Sequence, residues 1–249
     1  ATACSKAPLW SDSKCVAIAV SLTSIPMRMK PKLPTSLPNL EEINMTSNLS
    51  SSSALDEETA RAEIYGLLAQ LFYQVPSPEF LAQLRVAVTD APVAGGFLEE
   101  PWRQLVEASR VSTDDDIAAE FNHLFGGVGK PEVYLYASHY MSGFLNDKPV
   151  ARLREDLTAL GLERDDSMSE TEDHFACLCE VMRYLIAGDD VTVSNLTHQR
   201  EFFAKHIQPW AQEMTEVIVK HPRAKFFGQL AEFTQAFLNI ETQGFDLLT

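Results

Sequence analysis

ALDEETARAEIYGLLAQLFYQV, residues 54–75, sets Ile64, Leu67, Leu68, Leu71 and Phe72 three and four apart. That spacing is the period of an α-helix turning one apolar face inward. Helical signals recur along the rest of the chain, and no run of alternating β-branched residues competes with them. Ser77-Pro78-Glu79 supplies an N-cap, a first-turn proline and an acid, opening a helix to about Val88. Pro101 and Trp102 open another, with Leu105 and Val106 on its inner face. Thr113, followed by Asp114, Asp115 and Asp116, caps a helix that Gly126 and Gly127 stop. PVARLREDLTALGL ends on Gly161, and the helix containing FACLCEVMRYLIA ends at Gly188. Pro209 and Pro222 are expected to open the last two helices. The fold class expected is all-α, a single helical bundle of nine or ten helices. The acidic stretch 163–169 reads as a hinge between two helical halves, 55–162 and 170–249, and a hinge there would allow helices to be exchanged between protomers.

Residues 1–54 differ in character. Between Ala1 and Asn44, Lys6, Lys14, Arg28, Lys30 and Lys32 stand against Asp12, Glu41 and Glu42. This stretch is therefore +2, while the whole chain is −15, leaving −17 for the remainder. Prolines at 8, 26, 31, 34 and 38 rule out a long helix there. CVAIAVSL, residues 15–22, is apolar but too short to span a membrane. The segment 1–54 is expected to be a non-native or disordered extension, with the functional chain opening near Met45.

A net charge of −15 repels phosphate backbones and favours cationic partners, so nucleic acid is not expected as a ligand. Cys177 and Cys179, two apart on a helix, point to different sides, which suits neither a disulfide nor zinc. GGVGKP, residues 126–131, fails as a phosphate loop: Leu124 stands where the first glycine belongs and Pro131 where Ser or Thr does. Glu120-x-x-His123 matches half of a di-iron bundle motif, but no second Glu-x-x-His exists. Glu170 and His174 are four apart, and His198 and Glu201 are reversed. The alternative kept from this is a carboxylate/histidine metal enzyme on Glu120, His123, Glu170 and His174.

SMSETEDHFACLCEVMRYL, residues 167–185, concentrates acids at a helix start. Ser169 with Glu172 spells a capping box, and Ser167 with Glu170 spells a second register. Capping leaves Asp173 and His174 unexplained, at the rim between a polar start and an apolar face.

Four blocks in succession, EFNHLFGG (120–127), YLYASHY (134–140), ETEDHFACLCEVM (170–182) and FFAKHIQPW (202–210), resemble the motifs of the TorD-like family. These are cytoplasmic chaperones that mature molybdenum-containing reductases. The resemblance spans about Leu55 to Phe245 and departs at Thr171, where many members carry proline. It implies an all-α, cytoplasmic, non-enzymatic protein with no metal or cofactor of its own. Its partners would be an apo-molybdoenzyme, with trimethylamine N-oxide reductase the expected client, and that client's twin-arginine signal peptide. Carried over by position, Glu170, Asp173, His174, Phe125, Tyr136, Ser138 and Tyr140 would line the signal-peptide site. His206, Pro209 and Trp210 would support or pack behind it. The chain would work as a monomer or a helix-exchanged homodimer.

Overall fold

A computed structural model of the chain describes residues 30–31, 51–89, 96–126, 130–166 and 168–247. The expectation that residues 1–54 form an extension lies outside these, apart from Lys30–Pro31 and the first residues of the first helix. Among the described residues there are ten helices and one pair of two-residue strands. In chain order they are β1 (Lys30–Pro31), α1 (Ser51–Tyr73), α2 (Pro78–Arg85), α3 (Glu99–Val111), α4 (Asp114–Leu124), α5 (Ala137–Ser142), α6 (Lys148–Ala159), β2 (Leu162–Glu163), α7 (Phe175–Ala187), α8 (Leu196–His206), α9 (Ala211–Val219) and α10 (Phe226–Asp246).

Local chemistry sets several boundaries. Ser77 accepts from the amide of Phe80 at 3.2 Å and Pro78 fills the first turn of α2. Thr113 and Asp116 form a reciprocal capping box at α4. Gly161 sits at φ 72°, beyond the end of α6, a conformation that a Cβ would penalise. Three starts differ from expectation. α3 begins at Glu99, so Pro101 lies inside its first turn, where a missing amide costs nothing. α9 begins at Ala211 and α10 at Phe226, leaving Pro209 and Pro222 in the preceding turns.

α1 does not present one inner face. From Ile64 to Phe72 every residue but Gln70 is buried, including Tyr65, Leu67, Leu68, Ala69 and Leu71. α7 is similarly enclosed from Phe175 to Leu185, apart from Glu180, Arg183 and Tyr184. The two lie against each other, and α10 packs on α9 and α3, α8 on α7, and α2 on α3. A helix buried over most of its circumference belongs in an interior. The two sequence halves therefore share one core, which runs from Ala62 to Phe245.

Because α1 is central, its Arg61 falls inside. The guanidinium meets Glu241 of α10 through two bonds, Nε to Oε1 at 2.7 Å and Nη2 to Oε2 at 2.8 Å. Its Nη1 donates to Gln199 of α8 at 3.0 Å, and Gln199 in turn donates to the carbonyl of Leu185. The Tyr65 hydroxyl adds a third bond to Glu241 at 2.9 Å. Burial works against the Arg61 charge, but Glu241 overrides it and holds the guanidinium pKa above its usual value.

Removing one partner of such a pair leaves an uncompensated buried charge, which costs about 3–5 kcal/mol. Glu241→Ala should therefore lower the unfolding free energy in urea by about that amount. Arg61→Met combined with Glu241→Met should cost clearly less than the two single changes summed. Strictly additive losses would show that the pair is not coupled as described.

Candidate functional site

The chain before α5 and the chain before α7 run antiparallel. Tyr136 bridges His174, the amide of Phe175 donates to the carbonyl of Leu135 at 2.7 Å, and the amide of Ala137 donates to the carbonyl of Asp173 at 3.0 Å. This pairing delays the start of α7 to Phe175, so the expected capping box at Ser169 and Glu172 does not form. Ser167, in the other register, lies outside the described residues. The N-cap is His174, whose Nδ1 accepts from the amide of Ala176 at 3.2 Å.

Each acid of the opening stretch then has its own partner. Asp173 accepts the amide of Ser138, at the start of α5, at 2.9 Å and the Thr171 hydroxyl at 2.6 Å. Glu172 takes a two-pronged bond from Arg154 of α6, at 3.0 and 2.9 Å. Burial would raise the Glu172 pKa, and the Arg154 fork outweighs it, so the carboxyl sits below its usual range. Glu170, half-buried, accepts from the Tyr136 phenol, while its carbonyl accepts from Arg164 at 2.9 Å. Burial and that bond push the phenol's pKa up.

The structure thus unites Tyr136, Ser138, Glu170, Asp173 and His174, which sequence spacing alone holds up to 38 residues apart. Three of them are closed to solvent: Ser138 is fully buried, Asp173 is 1% exposed and His174 is 4% exposed. The His174 ring packs edge-on to Tyr136 and Tyr73 at 5.0 and 6.2 Å. Tyr140 donates to the Tyr134 carbonyl at 2.9 Å and stacks on Trp210 at 5.5 Å. Phe125 is half-buried against the core, edge-on to Phe72, Phe121 and Phe227, and Phe72 in turn touches Phe175.

His206 ties the last block to α6, and Trp210 joins it to Tyr140 and Phe175. The His206 Nε2 meets Asp156 of α6 at 2.6 Å, and Lys205 donates to the same carboxylate at 2.7 Å. Trp210 is buried and donates to the His206 carbonyl at 2.7 Å, while Pro209 is exposed. A cleft of about 60 Å³ has Asp173 and His206 in its wall with Ala137, Met141, Arg152 and Leu153. It admits a side-chain tip and no more. A second, of about 180 Å³, lies between α6 and α8 on the other side of His206.

Sequence reading missed the apolar lip at the end of α5. Met141, Phe144 and Leu145 are 42%, 74% and 46% exposed, around Gly143 at φ 79°. The signal was available: three large apolar residues beside a turn glycine, a place where polar residues are usual. Arg154, Asp156 and Lys205 were also missed, since single charges on amphipathic helices carry no mark of their partners.

No three residues of the metal alternative come together. Glu120 caps α10, accepting the amides of Lys225, Phe226 and Phe227 at 2.8, 3.1 and 2.8 Å, and His123 contacts Arg223. Glu170 and His174 are committed elsewhere. Among the described residues no three His, Cys, Asp or Glu side chains converge as ligands of a metal ion would. Cys177 and Cys179 are both buried and free, and burial pushes both thiols up.

The profile of a family described as nitrate reductase delta subunit matches residues 96–216. A protein of Vibrio cholerae (strain O395) named Chaperone protein TorD is 28% identical over 204 residues, covering 76% of this chain and 93% of its own. Its namesake in Vibrio parahaemolyticus is 24% identical over 199 residues, covering 73% and 93%. A third, in Colwellia psychrerythraea, is 22% identical over 223 residues, covering 76% and 92%.

Two outcomes follow from the geometry. Burial lowers the His174 pKa to about 4, despite Glu170 and Asp173 pulling the other way. The folded ring is therefore neutral, and its stabilisation is complete above the unfolded value near 6.5 and lost as pH falls toward 4. Between pH 7.5 and 5 this one group should remove about 2 kcal/mol, read by urea unfolding. His174→Asn, which keeps an N-cap acceptor, should flatten the slope by that amount, and an unchanged slope would contradict the burial. Asp173→Ala should cost about 1–3 kcal/mol at pH 7, because the buried Ser138 amide loses its acceptor. Wild-type melting in that variant would remove Asp173 from any structural role.

Proposed function

The chain belongs to the TorD-like family of maturation chaperones, and from that premise we propose that it binds the twin-arginine signal peptide and apo-form of a molybdenum reductase. Acting in the cytoplasm before export, it holds the client while the molybdenum cofactor is inserted, and trimethylamine N-oxide reductase is the client this reading favours. The chain catalyses no step of its own. Among the described residues no helix is long and apolar enough to cross a membrane.

Support comes chiefly from one juxtaposition on α5. At its start, Glu170 and Asp173 are tied to Tyr136 and Ser138. At its end stands the exposed lip of Met141, Phe144 and Leu145. Six residues of helix, about 9 Å, separate the two. A twin-arginine signal has a guanidinium pair followed by an apolar stretch, so acids beside an apolar lip match its order. Guanidinium favours carboxylates through charge-assisted, two-pronged bonds. Exposed Glu163 and Asp166 extend the acidic side, while Asp173 and His174 serve from within by holding α5 and α7 in register. The overall charge of −15 speeds encounter with a cationic peptide and makes it sensitive to salt.

Isothermal calorimetry should show a twin-arginine signal peptide binding the full chain, a twin-lysine control binding at least about tenfold more weakly, and both weakening with salt. Phe144→Ser with Met141→Ser, both exposed, should reduce affinity and leave the melting temperature in place. Equal binding of the two peptides would refute the reading.

A further inference from the structure

The cleft of about 60 Å³ beside α5 differs in character between its lining and its rim. Ala137 of α5, Leu153 of α6 and Leu178 of α7 line it and are buried, while Met141 is exposed. Its buried polar residues are engaged: Asp173 accepts from Ser138 and Thr171, and His206 meets Asp156. The interior therefore offers an entering group mainly aliphatic surface. The rim is cationic. Arg152 lies in the wall, and Lys148, one turn back on α6, is on the same side of that helix. Both are exposed, and among the described residues neither takes part in a hydrogen bond or ion pair. Asp156, one turn beyond Arg152, is the acid placed to meet it, but Lys205 and His206 hold that carboxylate instead. Lys148 stands in the first turn of α6, where the helix dipole disfavours a cation, so the helix itself gives no reason for it. From Ala137 to Leu153 these two bases stand against one acid, Asp147.

We propose that this cleft docks a segment of a partner protein in which an aliphatic side chain is flanked by carboxylates. The aliphatic tip enters between α5, α6 and α7, and a carboxylate beside it meets Arg152. Guanidinium takes a carboxylate through two parallel charge-assisted bonds, and Lys148 adds a second positive charge one turn away. The chain's net charge of −15 does not forbid an acidic occupant. Charges farther off than about 8 Å are screened at physiological ionic strength, and the acids bordering the cleft already have partners. Such a segment is opposite in charge to a twin-arginine signal, so the cleft reads a second feature of the partner. That the segment belongs to the body of the client rests on the function proposed above, whereas the docking chemistry does not.

The probe is a fluorescein-labelled synthetic peptide, GSDDLLDDSG, titrated into the full chain and followed by fluorescence anisotropy. Two control peptides carry serine for both leucines, or lysine for all four aspartates. The acidic leucine peptide should bind at least about tenfold more tightly than either control. Arg152→Glu with Lys148→Glu, both exposed positions, should weaken it by at least about tenfold and leave the melting temperature in place. In amide NMR spectra of the wild-type chain, the peptide should move the signals of Ala137, Met141 and Leu153. No saturable binding up to about 1 mM would overturn the proposal. Equal binding of the lysine peptide, or an affinity untouched by the double charge reversal, would overturn it as well. If the acidic peptide binds as stated while no twin-arginine peptide binds, the proposed function falls and the docking surface stands. If the twin-arginine peptide binds and the acidic one does not, the reverse holds.

Discussion

Two helices that are buried over most of their circumference have to be wrapped, and α1 and α7 are such a pair. Neither can lie at the surface without exposing leucine or phenylalanine, and each covers much of the other. They are separated by about a hundred residues, so the chain between and after them is obliged to pass around the pair. α8 closes on α7, and α10 returns to bring Glu241 against α1. The buried Arg61–Glu241 pair is a consequence of this arrangement rather than its cause. A lone arginine on a central helix would be ruinous, and a partner on the last helix turns that liability into a condition on how the chain must finish.

The same constraint explains the acidic start of α7. A helix driven into the interior must enter it somewhere, and its first turn carries unpaired amides with it. His174 meets one of these, and the polar side chains just before it bind the elements flanking the entry point: Asp173 reaches α5, Glu172 reaches α6 and Glu170 reaches Tyr136. The most distinctive motif of the sequence is thus a clamp, and its two most buried members are those least able to touch a ligand. What they fix in space is α5, with acids at one end and an apolar lip at the other.

Local chemistry was legible and distant chemistry was not. Ser77, Thr113 and Gly161 act on their own neighbours, and reading them placed the starts of α2 and α4 and the end of α6. The all-α fold followed from the same signals. Ser169 and Glu172 also spell a cap, but Arg154 takes the glutamate and the Tyr136 bridge holds the backbone extended, so a tertiary partner won over a local pattern. Glu120-x-x-His123 looked like half a metal site because its real use, capping α10, lies 105 residues away. The face of α1 read as one-sided because Tyr65 and Ala69 do not announce burial, yet both are fully enclosed.

The division of the acids bears on how recognition could be transmitted. Ser138 and Ala137 both donate amides to Asp173, one to its side chain and one to its carbonyl. α5 is therefore held to the entry of α7 by two buried bonds, and an unmet buried amide costs about 1–3 kcal/mol. A ligand pressing on Met141 or Phe144 acts on a short helix that cannot move without straining the start of the central one. A ligand held only by Glu163 or Asp166 touches the connector and leaves that clamp alone. In the proposed binding mode, charge would attract many cationic segments, while only a peptide that also fills the lip would load the core. Attraction and discrimination would then fall to different residues, the connector acids and the lip at the end of α5.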